Sequence, residues 1–174
     1  MRYVGIDPST MTGFVALGSD GIEVKRAKEL TGVGKEDPKR MVFLVDEIME
    51  HLRQGDRICV EGFSHGSKGK FVGQQYGIGW LIRSTLFRRG LKYVEVSPGQ
   101  LKKFASGKGN DSKYNLILPI YKSWDFQHSS DNVRDAFVLA KISYHLQNSA
   151  GSQLLPKYRR EVINTILNSE GANS

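Results

Sequence analysis

Residues 1–28 set the architecture of this chain, and they read MRYVGIDPSTMTGFVALGSDGIEVKRAK. Apolar runs predict two short strands, at residues 2–6 and 14–17, and alternating polarity predicts a third at residues 22–28. The sequence GSDG at residues 18–21 is rich in residues that tolerate positive φ angles, which is typical of an antiparallel hairpin. The chain therefore opens with a predicted three-stranded antiparallel meander.

Helices and strands alternate after this meander. Apolar residues at helical spacing predict a first helix over residues 39–53. Further predicted elements are strands at 57–61 and 92–96, helices at 71–89, 112–122 and 131–147, and a helical turn from Pro98. A meander followed by alternating helices and strands predicts an α/β fold. We expect a mixed five-stranded sheet, with the antiparallel meander joined to parallel strands and helices on its faces.

The length of 174 residues suits one folded unit. We predict a domain over residues 1–148. The sequence SAGS at residues 149–152 is typical of a linker, and residues 159–168 favour a terminal helix. Residues 149–174 are therefore interpreted as a linker and a helical tail.

Composition excludes several classes of protein. The single cysteine, Cys59, excludes a disulfide scaffold and a cysteine-rich zinc site. No apolar run reaches the ~18–20 residues that span a bilayer, and the amino terminus does not resemble a signal peptide. We therefore expect a cytoplasmic protein without a membrane partner. Residues 62–130 contain 11 lysines and arginines but three acidic residues, which favours an anionic partner such as a nucleic acid.

Four acidic residues stand at the ends of predicted elements. Asp7 follows the first strand, Glu61 ends the fourth, and Asp131 and Asp135 share a face at the start of the last long helix. Gathered together, they would form the all-oxygen site that Mg²⁺ prefers, and two such ions can promote phosphodiester hydrolysis. Structural roles stay open as well: Asp7 suits a turn, and Asp131 and Asp135 suit a helix amino terminus.

These residues resemble a known family. Gly5-Ile6-Asp7-Pro8-Ser9, Val60-Glu61, Gly73-Gln74-Gln75-Tyr76-Gly77 and Asp135-Ala136, in this order, resemble RuvC-type Holliday-junction resolvases of the ribonuclease-H-like superfamily. The resemblance covers roughly residues 2–145. It implies a ribonuclease-H-like fold, a homodimer, and metal-dependent cleavage of four-way and related branched DNA by two Mg²⁺ ions, with Mn²⁺ as a substitute.

The same resemblance assigns roles to basic and aromatic residues. It implies that Lys102 and Lys113 contact DNA near the scissile phosphate and that Lys113 also assists catalysis. Phe63 is the candidate for the aromatic wedge that the family uses at the junction. Other candidate DNA-binding residues are Lys68, Lys70, Lys103 and Lys108.

One position departs from the family pattern. The family usually places an acid three residues before its last aspartate, where this chain has Asn132 and an acid at Asp131 instead. Both residues are therefore kept as candidate metal ligands. Divergence of this kind in a short chain is associated with phage or viral members, whose site of action would be the host cytoplasm.

Asn132 keeps open an alternative function, a branched-DNA-binding module with impaired catalysis. Hydrolysis of RNA in RNA/DNA hybrids is a second alternative, because it uses the same kinds of acid. The segment Asp7-Pro8-Ser9-Thr10 weakly resembles a phosphate loop of actin-type ATPases, but that fold needs two such domains. No nucleotide cofactor is expected.

Overall fold

A computed structural model describes residues 1–63 and 72–171 of the chain. Its strands are β1 (Tyr3–Asp7), β2 (Thr12–Leu17), β3 (Val24–Leu30), β4 (Arg57–Glu61) and β5 (Tyr93–Val96). Its helices are α1 (Lys39–His51), α2 (Val72–Arg88), α3 (Pro98–Ser106), α4 (Ile117–Trp124), α5 (Asp131–Gln147), α6 (Ser149–Gln153) and α7 (Lys157–Gly171). No helix among the described residues has both the length and the apolar character needed to cross a membrane.

The strands form one mixed sheet in the order β3-β2-β1-β4-β5. The pairs β1–β2 and β2–β3 are antiparallel, whereas β1–β4 and β4–β5 are parallel. This arrangement confirms the predicted fold class, including the opening meander. Apolar residues line both faces of the central strands, because helices cover the sheet on each side.

One face of the sheet packs against α1 and α2, and the other packs against α3, α4, α5 and α7. Val4 and Ile6 of β1 belong to the first core, together with Leu44 of α1 and Ile82 of α2. Tyr3, which points to the opposite face, belongs to the second core. The sheet is therefore the shared middle layer of a three-layer structure.

Helix α5 lies directly on the main chain of β1 and β2. A Cβ atom added at Gly5 would overlap the carbonyl oxygen of Ala136, and one added at Gly13 would overlap the carbonyl oxygen of Asn132. Only glycine permits this close approach of helix to strand. Ser130 caps the start of the helix by accepting a hydrogen bond from the Val133 amide at 3.3 Å.

Several predicted boundaries differ from the structure for local reasons. Strand β3 begins at Val24 rather than at residue 22, because the amides of Ile22 and Glu23 donate to the Asp20 carboxylate and prolong the turn. The predicted helix over residues 112–122 is divided into a 3₁₀ turn and α4. Pro119 has no amide hydrogen to continue a longer helix.

The carboxyl-terminal helices pack onto the rest of the molecule. Residues 149–152 form most of α6, so their prediction as a linker is wrong. The Ser152 amide donates to the Asn148 carbonyl, and the Ser152 hydroxyl donates to the His145 carbonyl. Val162 of α7 lies in the same core as α5. Arg159 donates to the carbonyl of Phe104 in α3 at 2.8 Å. The predicted terminal helix is confirmed and is longer than expected.

Candidate active site

Two predicted acidic residues lie on neighbouring parallel strands. Asp7 is the last residue of β1 and Glu61 is the last residue of β4, and the register pairs Ile6 with Val60 just before them. Parallel strands that end together place their final side chains at the same edge of the sheet. The two carboxylates therefore meet there.

Helix α5 brings the third carboxylate to this edge. Its first turns begin beside the end of β1, since the helix contacts β1 and β2 through Gly5 and Gly13. Asp135 and Asp7 are each only 3% exposed. Carboxylates from β1, β4 and α5, which lie far apart in the sequence, are thus brought to one edge of the sheet.

Lys113 lies among the acidic side chains. Its Nζ is 3.1 Å from Oδ2 of Asp135, 3.2 Å from Oδ2 of Asp131 and 3.8 Å from Oδ2 of Asp7. It also donates a hydrogen bond to Oδ1 of Asn132 at 3.3 Å. One ammonium group therefore pairs with three carboxylates and compensates part of their mutual repulsion.

One carboxylate oxygen of the acidic site lacks a hydrogen bond from the residues that the structure describes. Oδ2 of Asp7 is buried and has no hydrogen-bond partner within the described part of the chain. Buried polar atoms are normally hydrogen-bonded, so an unpartnered carboxylate oxygen of this kind is available for an external cation or proton donor.

The acidic residues respond differently to this environment. Burial, followed by the charges of Asp7 and Asp135, raises the pKa of Glu61 well above its ordinary value. Burial also raises the pKa of Asp135, to about 6, although Lys113 acts in the opposite direction. Burial opposes the charge on Lys113, but Asp7 and Asp135 dominate and raise its pKa. The site therefore tends to hold protons until a cation binds.

Asp131 and Asn132 lie at the rim. The Asp131 side chain is 45% exposed, and pairing with Lys113 lowers its pKa against the effect of burial. Asn132 donates from its amide nitrogen to the carbonyl of Met11 at 2.7 Å, which turns Oδ1 toward Lys113. Asn132 thus offers the site a neutral oxygen, and Asp131 offers an accessible charge.

A cavity of about 270 Å³ opens above these residues. Phe63 forms part of its wall: its ring stacks on that of Tyr76, with centroids 4.8 Å apart and an interplanar angle of 1°. The guanidinium of Arg83 lies 4.3 Å from the centre of the Phe63 ring. In this structure the candidate wedge residue is folded against α2 beside the acidic site.

The predicted basic residues divide into three groups. Lys102 and Lys113 line the same cavity as the carboxylates. Lys103 instead pairs with Glu161 of α7 at 2.8 Å, and Lys108 lines a separate surface cavity. The predicted DNA-binding residues Lys68 and Lys70 lie outside the described residues.

The donor set fits a divalent metal ion by chemistry. All the candidate ligands are oxygens, as Mg²⁺ and Mn²⁺ prefer, and one buried carboxylate oxygen has no hydrogen-bond partner among the described residues. Within residues 1–63 and 72–171, no three acidic, histidine or cysteine side chains are already spaced to hold one ion. Lys113, which lies among the carboxylates, supplies the positive charge in this arrangement.

Arg83 is the residue of the site that the sequence analysis did not identify. It lines the cavity and donates from Nη2 to the main-chain carbonyl of Glu61 at 2.9 Å. A charged residue between the buried positions Ile82 and Leu86 of α2 was the available signal.

No protein-family model matches the chain. Two curated relatives are both named crossover junction endodeoxyribonuclease RuvC. The protein from Chloroherpeton thalassium is 24% identical over 169 residues, covering 92% of this chain and 91% of the relative. The protein from Synechococcus sp. (strain CC9311) is 26% identical over 156 residues, covering 80% of this chain and 96% of the relative.

Solved structures show the same fold. The Thermus thermophilus RuvC structure matches with a TM-score of 0.64 and 16% identity, covering 86% of this chain and 97% of the other. The structure of T. thermophilus RuvC in complex with Holliday junction substrate matches with a TM-score of 0.60 and 19% identity. The match covers 81% of this chain and 91% of the other. The comparisons confirm the resemblance to RuvC-type resolvases and the ribonuclease-H-like fold, while the expected phage or viral source stays a prediction.

Proposed function

We propose that this chain is a RuvC-type resolvase, a structure-selective endodeoxyribonuclease that hydrolyses phosphodiester bonds in four-way and related branched DNA. The observation that carries the proposal is the convergence of Asp7, Glu61 and Asp135 from three separate elements around Lys113. The RuvC relatives, which match over most of their own lengths, support the same activity.

We assign the metal site to the carboxylates of Asp7, Glu61 and Asp135, with Asp131 and Asn132 completing it at the rim. Two Mg²⁺ ions, or Mn²⁺ in their place, are the expected occupants. When bound, such ions would supply a reactive water at neutral pH and neutralise charge on the scissile phosphate. The raised pKa of Glu61 means that this carboxyl must lose a proton before it can act as a ligand, whereas Asp135, with a pKa of about 6, is mostly ionised at neutral pH.

The remaining residues of the cavity act on the DNA. Lys113 has an ammonium group close enough to Asp7 and Asp135 to stabilise negative charge that develops on the phosphate between them. Lys102 lines the same cavity and would neutralise a neighbouring phosphate. We keep Phe63 as the candidate to stack on a base at the junction. We extend the DNA-binding surface to Lys68, Lys70, Lys103 and Lys108.

A homodimer follows from the reaction. Resolution of a four-way junction requires two symmetrically placed cuts, and two sites related by a dyad provide them. We therefore propose that branched DNA is bound by two copies of the chain.

Cleavage of a synthetic four-way junction tests the function. The junction, a linear duplex of the same sequence and an RNA/DNA hybrid are each incubated with the protein and Mg²⁺ or Mn²⁺. We expect paired cuts in the junction and little cleavage of the other two substrates. An absence of cuts with either metal, despite tight junction binding, would replace the proposal with the binding module, and preferential loss of the RNA strand would replace it with a hybrid hydrolase.

Asp7→Asn and Asp46→Asn form a matched pair for this assay. Both remove one negative charge, but Asp46 lies exposed on α1, away from the cavity. We expect only Asp7→Asn to abolish cleavage.

A further inference from the structure

Arg83 is an almost fully buried charge in the middle of α2. The residue is only 2% exposed and stands between the core positions Ile82 and Leu86. A buried guanidinium is costly unless each of its donors finds an acceptor. The identity of those acceptors therefore indicates what the residue does.

The guanidinium joins three elements. Nε pairs with Oε1 of Glu95 on β5, Nη1 donates to the Gly79 carbonyl at 3.0 Å, and Nη2 donates to the Glu61 carbonyl at 2.9 Å. Glu61 is the final residue of β4, where the strand leaves the sheet. The hydrogen bond to its carbonyl fixes the peptide group of a proposed metal ligand.

The aromatic residues beside the cavity shield this contact. The Phe63 ring lies over the guanidinium at 4.3 Å, and its own neighbours are Tyr76 and Trp80, with centroids at 4.8 Å and 5.4 Å. Phe63 follows Glu61 by two residues, so Arg83 holds the chain on both sides of Gly62. Exclusion of water strengthens these hydrogen bonds, and the cation–π contact adds to them.

We infer that Arg83 is a positioning residue that sets the orientation of Glu61 toward Asp7 and Asp135, and thereby the strength with which the site holds a divalent metal ion. This inference rests on the proposed function. It also requires arginine specifically. A lysine could keep the ion pair with Glu95, but it has no planar fork that reaches the Glu61 and Gly79 carbonyls together while stacking under Phe63.

The test compares Arg83→Lys with Arg88→Lys, because Arg88 is an exposed arginine at the end of the same helix. Binding of Mn²⁺ to each protein is measured by titration calorimetry without DNA, and the Mn²⁺ dependence of junction cleavage is measured separately. We expect Arg83→Lys to weaken Mn²⁺ binding at least about tenfold, as for other residues that orient metal ligands, and Arg88→Lys to leave it unchanged.

A further readout separates positioning from general damage. Excess Mn²⁺ should restore much of the cleavage by Arg83→Lys. The KM for the junction should stay within about twofold of the wild-type value, because the position of one metal ligand affects the chemical step rather than DNA binding. Equal Mn²⁺ affinity of Arg83→Lys and the wild type would overturn the inference and leave the proposed function intact. A wild-type protein that neither binds Mn²⁺ nor cuts would overturn both.

Glu95→Gln provides a second route if Arg83→Lys does not fold. The Glu95 side chain is 48% exposed, so its substitution leaves the core intact. It removes the charge that pairs with Nε of Arg83 and so weakens the restraint on the guanidinium. We expect a smaller weakening of Mn²⁺ binding in the same direction, and no change here would also overturn the inference.

Discussion

A buried aspartate lies near each end of β1, Asp56 beside the amino end and Asp7 at the carboxyl end, and the two carboxylates have opposite environments. At the amino end, Asp56 accepts hydrogen bonds from Nε and Nη2 of Arg2 at 3.0 Å and 2.6 Å, and from the Arg53 amide at 2.8 Å. At the carboxyl end, Asp7 has a buried oxygen without a hydrogen-bond partner in the described residues, and it lies beside the acidic Glu61.

The difference separates a structural carboxylate from a functional one. Both residues are less than 10% exposed, so burial alone does not distinguish them. Asp56 is paired with Arg2 near the amino end of β1, whereas Asp7 lies beside the acidic Glu61 and 3.8 Å from the Lys113 ammonium. Unfavourable local electrostatics of this kind are typical of functional sites. Substitutions at the two positions should therefore act on different properties.

The largest effect is expected from Asp7→Asn. The substitution keeps the shape of the side chain but removes the charge required for a metal ligand, so single-turnover cleavage of a four-way junction should fall by about a thousandfold, or about 4 kcal/mol in activation free energy. The free energy of unfolding in urea should change by less than about 1 kcal/mol, because loss of the Lys113 ion pair offsets the relief of repulsion among the acidic side chains. Cleavage within tenfold of the wild type would contradict the assignment.

Asp56→Asn should give the reverse pattern. It leaves Arg2 without its charged partner in a site where the Asp56 side chain is only 2% exposed, so we expect the free energy of unfolding to fall by about 3 kcal/mol. Cleavage per folded molecule should not change. Adding Arg2→Met to Asp56→Asn should recover part of the lost stability, and an additive further loss would show that the ion pair is not the cause.

Lys113→Gln should separate metal binding from catalysis. Loss of the ammonium should slow cleavage by about a hundredfold, as for other electrostatic groups at reacting centres. It should also tighten Mn²⁺ binding by calorimetry, because the cation that pairs with Asp7 and Asp135 is removed. Lys25→Gln is the control, since Lys25 pairs with Glu23 instead. Weaker Mn²⁺ binding by Lys113→Gln would contradict this account of the site.

The smallest effect concerns the pH dependence of stability. The pKa of Asp135 is raised to about 6 in the folded chain, so the folded state holds this proton more tightly than the unfolded state does. Its contribution to stability is therefore lost as pH rises from about 4 to 6, and the loss should be about 2 kcal/mol. Urea denaturation of the wild type and Asp135→Asn across this range measures the difference. Equal profiles would show that Asp135 titrates normally.

Sequence patterns predicted the elements whose causes are local. The bounds of β4 and α5 agree with the predictions because an apolar run and a capped, periodic helix specify them directly. The meeting of Asp7, Glu61 and Asp135 followed from the ends of these elements together with the family resemblance. The prediction of Lys113 at the site came from the resemblance alone, since a lysine in a polar loop has no distinctive local pattern.

The supporting contacts could not be predicted in this way. Two sets of contacts depend on how separate segments come together. They are the guanidinium contacts of Arg83 with Glu61 and Glu95, and the ion pair between Arg2 and Asp56. Apolar spacing shows which side of α2 is buried, but it does not show which carbonyl groups a buried guanidinium will meet there. The same reason explains the missed α6, whose Ser152 hydroxyl donates to the carbonyl of His145 at the end of α5.

The contact of α5 with bare main chain at Gly5 and Gly13 limits how the acidic site can adapt. The spacing between Asp7 and Asp135 is set there by atoms common to every polypeptide, so no exchange of neighbouring core residues can stretch or shrink it. Selection for an ion of different radius would therefore have to act at the rim, through Asp131 or Asn132, or through a longer acid such as glutamate. The two glycines therefore tie the spacing of two proposed metal ligands to a main-chain contact.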